Sequence, residues 1–295
     1  MGDYLIRVLA KEAGVRALIC LTTELVNEAA DRHQTSPTAT VALSRALTGA
    51  ALMGALLKVK QRVALKFEGN GPLRKIIVEA DSYGRVRGYV DVPDADLPLI
   101  DGAHDLVHAI GQAGLLTVVR DLRLKELAEG VVPLAVSDIV GDLNDFFVQS
   151  EQIPTTVQIG EVVSADGRIT LAGGLLIQDI PTQGSRATFA QLQDRLQEMP
   201  PLIDLLRDGQ TAHQIVAQLF TGLEYELLEE RELAFQCDCS WERTREALLS
   251  LGAAEIEHLR ETDGEIMVTC HYCGESYLFD EFDLEVMLAE LSDSE

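Results

Sequence analysis

A chain of 295 residues, 47 % of them hydrophobic, can bury a real core as one large domain plus a small one, or as two of moderate size. Its 48 acidic against 24 basic residues leave a net charge of −24, which repels phosphate backbones and counts against a nucleic-acid reader. The first ten residues lack a basic segment followed by an apolar run, so no secretory signal is expected and a cytoplasmic location is the expectation.

In chain order, residues 3–10 alternate as a strand, turn at 11–14 and return at 15–20 as an opening hairpin. Thr22 or Thr23 can cap a helix that turns Leu25, Val26, Ala29 and Ala30 inward. Ser36-Pro37-Thr38 ends it and starts another at about 40–58, apolar nearly all round, with Gly49 and Gly54 allowing close backbone approach. Arg45 inside that run, and the lack of a flanking anchor, point to burial inside the protein and not to a membrane span.

A meander follows, with strands at 63–68, 74–80 and 85–92. The glycines of Gly69-Asn70-Gly71-Pro72 make a hairpin turn, because no Lys-Ser/Thr pair follows and a strand comes next where a phosphate loop needs a helix. Residues 93–114 read as irregular, 115–120 and 131–137 as strands, and 122–129 as a short helix between them. An amphipathic helix at 138–152 precedes a long hairpin, 155–164 with 168–179, in which Gly173-Gly174 marks a bulge or bend. Elements interspersed in this way and joined largely by hairpins predict an α+β domain over 1–180 with mainly antiparallel sheet.

Residues 181–232 change character. A flexible lead at Thr182-Gln183-Gly184-Ser185 opens onto helices at 187–198, 202–206 and 211–220 whose narrow apolar faces must lean on a neighbour. The stretch is expected to be a helical linker docked on the first domain. Acids accumulate towards its end, at Glu224, Glu226, Glu229, Glu230 and Glu232. A small domain over 233–295 is expected to hold a Ser240-capped helix to 250, a helix at 253–261, a hairpin of 265–270 with 276–279, and a last helix capped by Asp280.

This last domain carries Cys237-Asp238-Cys239 and, after thirty residues, Cys270-His271-Tyr272-Cys273-Gly274. Two short cysteine pairs, each on a tight turn, are what a tetrahedral zinc site needs, and Gly274 suits the positive φ that such a knuckle often requires. Four thiolates leave no open position for a substrate water, so a hydrolytic centre is excluded. A domain of about sixty residues draws only ~3–5 kcal/mol from its core. Structural zinc contributes roughly 10–16 kcal/mol, so the metal decides whether the domain folds.

Metal-bound thiolates stay nucleophilic, and oxidation of one sulfur weakens the site. Disulfides inside each pair would close very short loops, exchanging a long-range staple for two local clips with net destabilisation. The competing reading is a purely structural zinc site, the commoner role for four cysteines. A dithiol oxidoreductase on Cys270 and Cys273 would need a thioredoxin-like βαβ context, which the element order lacks. Cys20, at the end of a strand, reads as a small buried hydrophobe, and His271 as solvent-facing.

The C-x-C and C-x-x-C pairs are accompanied by Val26-Asn27-Glu28 with Arg32-His33, by Ser36-Pro37-Thr38-Ala39, by Phe67-Glu68-Gly69-Asn70-Gly71-Pro72 and by Ser150-Glu151-Gln152-Ile153-Pro154. Together they resemble the heat-shock protein 33 family, redox-regulated holdase chaperones also called 33-kilodalton chaperonins, over essentially the whole chain. The resemblance implies an α+β N-terminal domain, a metastable helical linker and a C-terminal zinc domain, with no enzymatic activity. It implies one zinc held by Cys237, Cys239, Cys270 and Cys273 in a reduced, inactive monomer. On oxidation Cys237 would pair with Cys239 and Cys270 with Cys273, zinc would leave, and tail and linker would unfold. The exposed apolar surface would hold unfolding client proteins without ATP, in a homodimer, with no nucleic-acid or membrane partner.

Overall fold

Side chains buried or half-buried at every position run through β1 (Tyr4–Ala10) and β2 (Val15–Leu21), the hairpin that opens the chain in the computed structural model, which describes residues 2–180 and 185–293. Thr22 stands at the N-cap of α1 (Thr23–His33), but its hydroxyl is engaged with Thr48 at 2.7 Å. The buried Asp3 carboxylate serves the helix start instead, accepting from the Leu25 amide at 2.7 Å. Burial holds that carboxyl above its usual range, against the opposing pull of the helix amides. Ser36 caps α2 (Pro37–Gly54) by accepting from the Ala39 amide, and Pro37 fills the first turn.

The meander is β3 (Arg62–Gly69), β4 (Lys75–Asp81) and β5 (Arg85–Val90). After it come α3 (Leu106–Ile110), β6 (Gly114–Asp121), β7 (Ala128–Pro133) and α4 (Val140–Phe146), which runs on as a π turn over Phe147–Glu151. A long hairpin of β8 (Thr155–Val163) and β9 (Ile169–Asp179) leads to α5 (Ser185–Glu198), α6 (Leu202–Arg207) and α7 (Ala212–Leu219). Two strands, β10 (Glu226–Glu232) and β11 (Ala234–Phe235), close this part of the chain.

The fold is α+β with mainly antiparallel sheets. Five strands lie in the order β10-β1-β2-β9-β8 and six in the order β11-β5-β4-β3-β6-β7, every pair antiparallel except β11 on β5. Helix α2 packs on β2, β8 and β9 of one sheet and on β3, β4 and β5 of the other. Sixteen of its eighteen residues are buried, as expected of a helix apolar on every side. Arg45 is its polar exception and reaches out to Glu161 at 2.9 Å. Among the described residues no helix is long and apolar enough to cross a membrane.

The chain divides into two compact units, Met1–Gln236 and Cys237–Glu295. Helices α5 to α7, from the stretch expected as a linker, form a layer on the face of the five-stranded sheet opposite α2. Phe189, Leu192, Ile215, Val216, Leu219 and Phe220 pack there on Ile6, Val8, Val15, Ala17, Leu175 and Ile177. The lead expected at 182–185 lies outside the described residues except for Ser185, which begins α5.

Four local expectations are corrected. The helix expected at 122–129 is absent, because β6 and β7 pair directly, Arg120 opposite Ala128, and turn through Arg123 at φ 58° with its amide on Asp121. Strand pairing overrides local helix propensity there. The irregular 93–114 contains α3, capped by Asp105, whose side chain accepts from the His108 amide. Gly173 and Gly174 keep an unbroken register, and the irregularity lies between Val162 and Val163. The acid-rich 226–232 is the strand β10.

In the second unit, α8 (Trp241–Leu249), α9 (Ala253–Asp263), the hairpin β12 (Ile266–Thr269) and β13 (Ser276–Phe279), and α10 (Glu281–Asp293) follow the expected order. Ser240 and Asp280 cap α8 and α10 as expected. The buried core is small: Leu248, Ile256, Phe279, Leu284 and Met287, with Trp241 stacked on Phe279 at 5.0 Å between ring centroids.

Candidate metal centre

The β12–β13 hairpin presents the second cysteine pair at its tip. Thr269 pairs with Ser276, and their hydroxyls meet at 2.8 Å. Inside that closure the Cys270 amide donates to the Glu275 carbonyl at 2.8 Å, and the Cys270 carbonyl accepts from the Gly274 amide at 2.8 Å. Gly274 takes φ 71°, where a side chain would be strained. The first pair comes from the segment leading into α8. There the Arg243 guanidinium donates to the Asp238 carbonyl at 2.6 Å, and Ser240 accepts from the Arg243 amide.

These two turns bring all four sulfurs within 4.8 Å of one another, with Cys237 to Cys270 at 3.8 Å and Cys239 to Cys273 at 3.3 Å. A tetrahedral ion with metal–sulfur bonds of about 2.3 Å sets its sulfurs about 3.8 Å apart. The four sulfurs lie close enough together to hold such an ion. Cys273 is buried and the other three are half-buried. Burial pushes the Cys270 and Cys273 thiols up, the amides of Tyr272 and Glu275 oppose it, and Cys237 adds to the rise at both. Metal ligation needs the thiolate forms, so binding a cation here is coupled to loss of the thiol protons.

The sequence-stated ligands are thus brought together, and His271 is exposed on the knuckle, outside the sulfur cluster. Sequence reasoning missed Tyr277. Its hydroxyl donates to Cys239 Sγ at 3.2 Å, a bond that holds the phenol above its usual range. Strand alternation carried the signal: Phe279, on the same face of β13, enters the core, which leaves Tyr277 over the sulfurs. Tyr277→Phe is expected to lower metal affinity about tenfold or more, read by competition with a chromophoric chelator.

Cys20 is fully buried in β2, and burial lifts its thiol to about 12. It stays protonated at neutral pH and so is a poor nucleophile. Alkylation of the native, metal-free reduced protein is expected to label Cys237, Cys239, Cys270 and Cys273 and to spare Cys20, with peptide mass spectrometry as the check.

Known proteins are similar to this chain along nearly its whole length. The family profile described as Hsp33 protein matches residues 3–280. A 33 kDa chaperonin of Citrifermentans bemidjiense is 49 % identical over 295 residues, the full length of both chains. That of Geobacter sulfurreducens is 49 % identical over 283 residues, 96 % of this chain and 94 % of its own. The crystal structure of the 33 kDa chaperonin (heat shock protein 33 homolog) from Thermotoga maritima matches with a TM-score of 0.90 at 35 % identity, covering 99 % of each chain.

Proposed function

The chain belongs to the Hsp33 protein family, and on that footing we propose that it is a redox-gated holdase whose tail is kept folded by one zinc ion. Membership makes it a chaperone, a non-enzymatic protein that binds unfolded clients. The observation that carries the gate is the convergence of four sulfurs inside a unit that, among the described residues, has five buried apolar side chains besides Cys273. An all-thiolate tetrahedral donor set is the one zinc favours. When bound, zinc supplies the cross-link between the 237–239 segment and the hairpin tip, and the protein contributes the Tyr277 and backbone donors that hold the sulfurs in place.

On oxidation, Cys237 pairs with Cys239 and Cys270 with Cys273. In forming each disulfide two thiolates give up two electrons as the S–S bond forms, and one peroxide with two protons accepts them, its O–O bond breaking to leave two waters. The cross-link is lost and the tail opens. Cys237 follows directly on the segment that carries β10, β11 and α5 to α7, and that layer is released as the tail unfolds. Its release uncovers the apolar sheet face of Ile6, Val8, Val15, Ala17, Leu175 and Ile177. Clients bind there without ATP, the active form is a homodimer, and the work is done in the cytoplasm.

A second reading has one observation in its favour: the short sulfur distance, 3.3 Å, runs across the pairs, from Cys239 to Cys273. A disulfide there would preserve the staple, and the gate would stay shut. The deciding experiment treats the zinc-loaded protein with peroxide at mildly raised temperature and follows zinc, disulfides and an aggregating client together. The gate requires one zinc released per chain, local disulfides by peptide mapping and suppressed light scattering. Oxidised, zinc-free protein that leaves aggregation unchanged would overturn the proposal.

A further inference from the structure

The two outer strands of the five-stranded sheet differ sharply in chemistry. β10, the edge, reads Glu226-Leu227-Leu228-Glu229-Glu230-Arg231-Glu232, and five of its seven residues are exposed. Charged side chains on an edge strand discourage pairing with another chain. β1, immediately inside it, reads Tyr4-Leu5-Ile6-Arg7-Val8-Leu9-Ala10, β-prone and nearly all apolar. β10 therefore works as an acidic cover over an edge that would otherwise invite strand addition.

The cover is held by pairing and by charge. Glu232 to Glu229 lie opposite Tyr4 to Arg7 in order, and after a register shift Leu227 and Glu226 lie opposite Val8 and Leu9. Glu229 forms an ion pair with Arg7 at 3.2 Å and also pairs with Arg231. Arg7 donates as well to the Ala55 carbonyl at the C-terminus of α2. Arg16 stands beside it, and burial together with the charge of Arg7 holds Arg16 below its ordinary range. Without β10, Arg7 loses its carboxylate partner Glu229 while Arg16 stays close. The result is a cationic spot beside a bare β-edge, in a chain of net charge −24.

We propose that the β1 edge, once β10 has left it, is a binding site for extended segments of unfolding clients that carry an acidic residue opposite Arg7, and that β10 occupies it beforehand as an internal mimic. Recognition through backbone amides and carbonyls is tolerant of sequence, which suits a protein that must hold many different chains. The single charged position adds a preference without restricting the rest. This rests on the linker release proposed above.

The test uses full-length protein and a fluorescein-labelled peptide of residues 225–233. Oxidised, zinc-free protein is expected to bind it saturably and reduced, zinc-loaded protein not at all. N-methylation of alternate peptide amides on the paired edge should abolish binding. The Glu229→Arg peptide should bind about tenfold more weakly, and Arg7→Glu protein should reverse that preference. If Arg7→Glu fails to fold, the two peptides on unaltered protein still decide. Oxidised protein that suppresses client aggregation yet binds methylated and unmethylated peptides alike, or neither, rules out the edge and leaves the holdase reading standing. Oxidised protein that suppresses no aggregation removes the holdase reading, and this proposal with it.

Discussion

Replacing Cys273 by serine is expected to unfold residues 237–295 in the reduced protein and to release the α5 to α7 layer, while the two sheets and α2 beneath keep their structure. Cys273 is the most buried of the four sulfurs, so a serine hydroxyl there offers a poor donor in a place water does not easily fill. Zinc in such a site contributes roughly 10–16 kcal/mol to folding, against ~3–5 kcal/mol for a core of this size. The core in question is Leu248, Ile256, Phe279, Leu284 and Met287. Weakening the metal therefore outweighs everything the apolar contacts provide. Heteronuclear NMR of the variant, or of chelator-treated wild type, should show the tail's amide signals collapsing to random-coil shifts. A tail that keeps its dispersion without metal would show that the small core suffices and that zinc is no staple.

The second large effect is expected from Leu219→Asp. Leu219 is fully buried at the end of α7, within the layer that covers the β1-β2-β9 face. A carboxylate placed there has no partner, and burying an unpaired charge costs several kcal/mol. The layer escapes that cost by lifting off, since its apolar cluster is separate from the one that α2 organises between the sheets. The reduced, zinc-loaded variant should then hold clients with no oxidant present. Leu219→Ala, which leaves a cavity worth about 2–5 kcal/mol, should show the same behaviour on warming. Hydrogen exchange over α5 to α7 separates the outcomes. Fast exchange with no suppression of aggregation would mean that the uncovered face is not where clients bind.

What could be read from residues alone follows from where the information is stored. Helix α2 was readable because an apolar run broken only by Arg45 has one physical solution, burial on all sides. The hairpins announced themselves by alternation, and the cysteine spacing carried the ligand set because two tight turns can present sulfurs in few other ways. β10 could not be read. Glu229 and Glu230 interrupt any alternation, and the strand exists because β1 offers its edge and Arg7 offers a charge. Tyr277 was hidden for a similar reason, since its value depends on a sulfur 38 positions away. Gly173-Gly174 suggested a bend from sequence, whereas the cause is crowding. A β-carbon at 173 would lie 2.8 Å from Leu206 of α6, and one at 174 would lie 2.7 Å from Thr48 of α2.

That crowding makes β9 a strand with two tenants. Leu171, Gly173, Leu175 and Ile177 answer to the layer of α5 to α7, whereas Ala172, Gly174 and Leu176 answer to the interior around α2. Under the gate proposed above, substitutions at the odd positions are expected to shift the stress level at which the outer layer departs, with the foundation beneath untouched. Under that same proposal the layer has a prepared seat to return to once reducing conditions come back, because Ala172, Gly174 and Leu176 are held from the other side by the interior around α2.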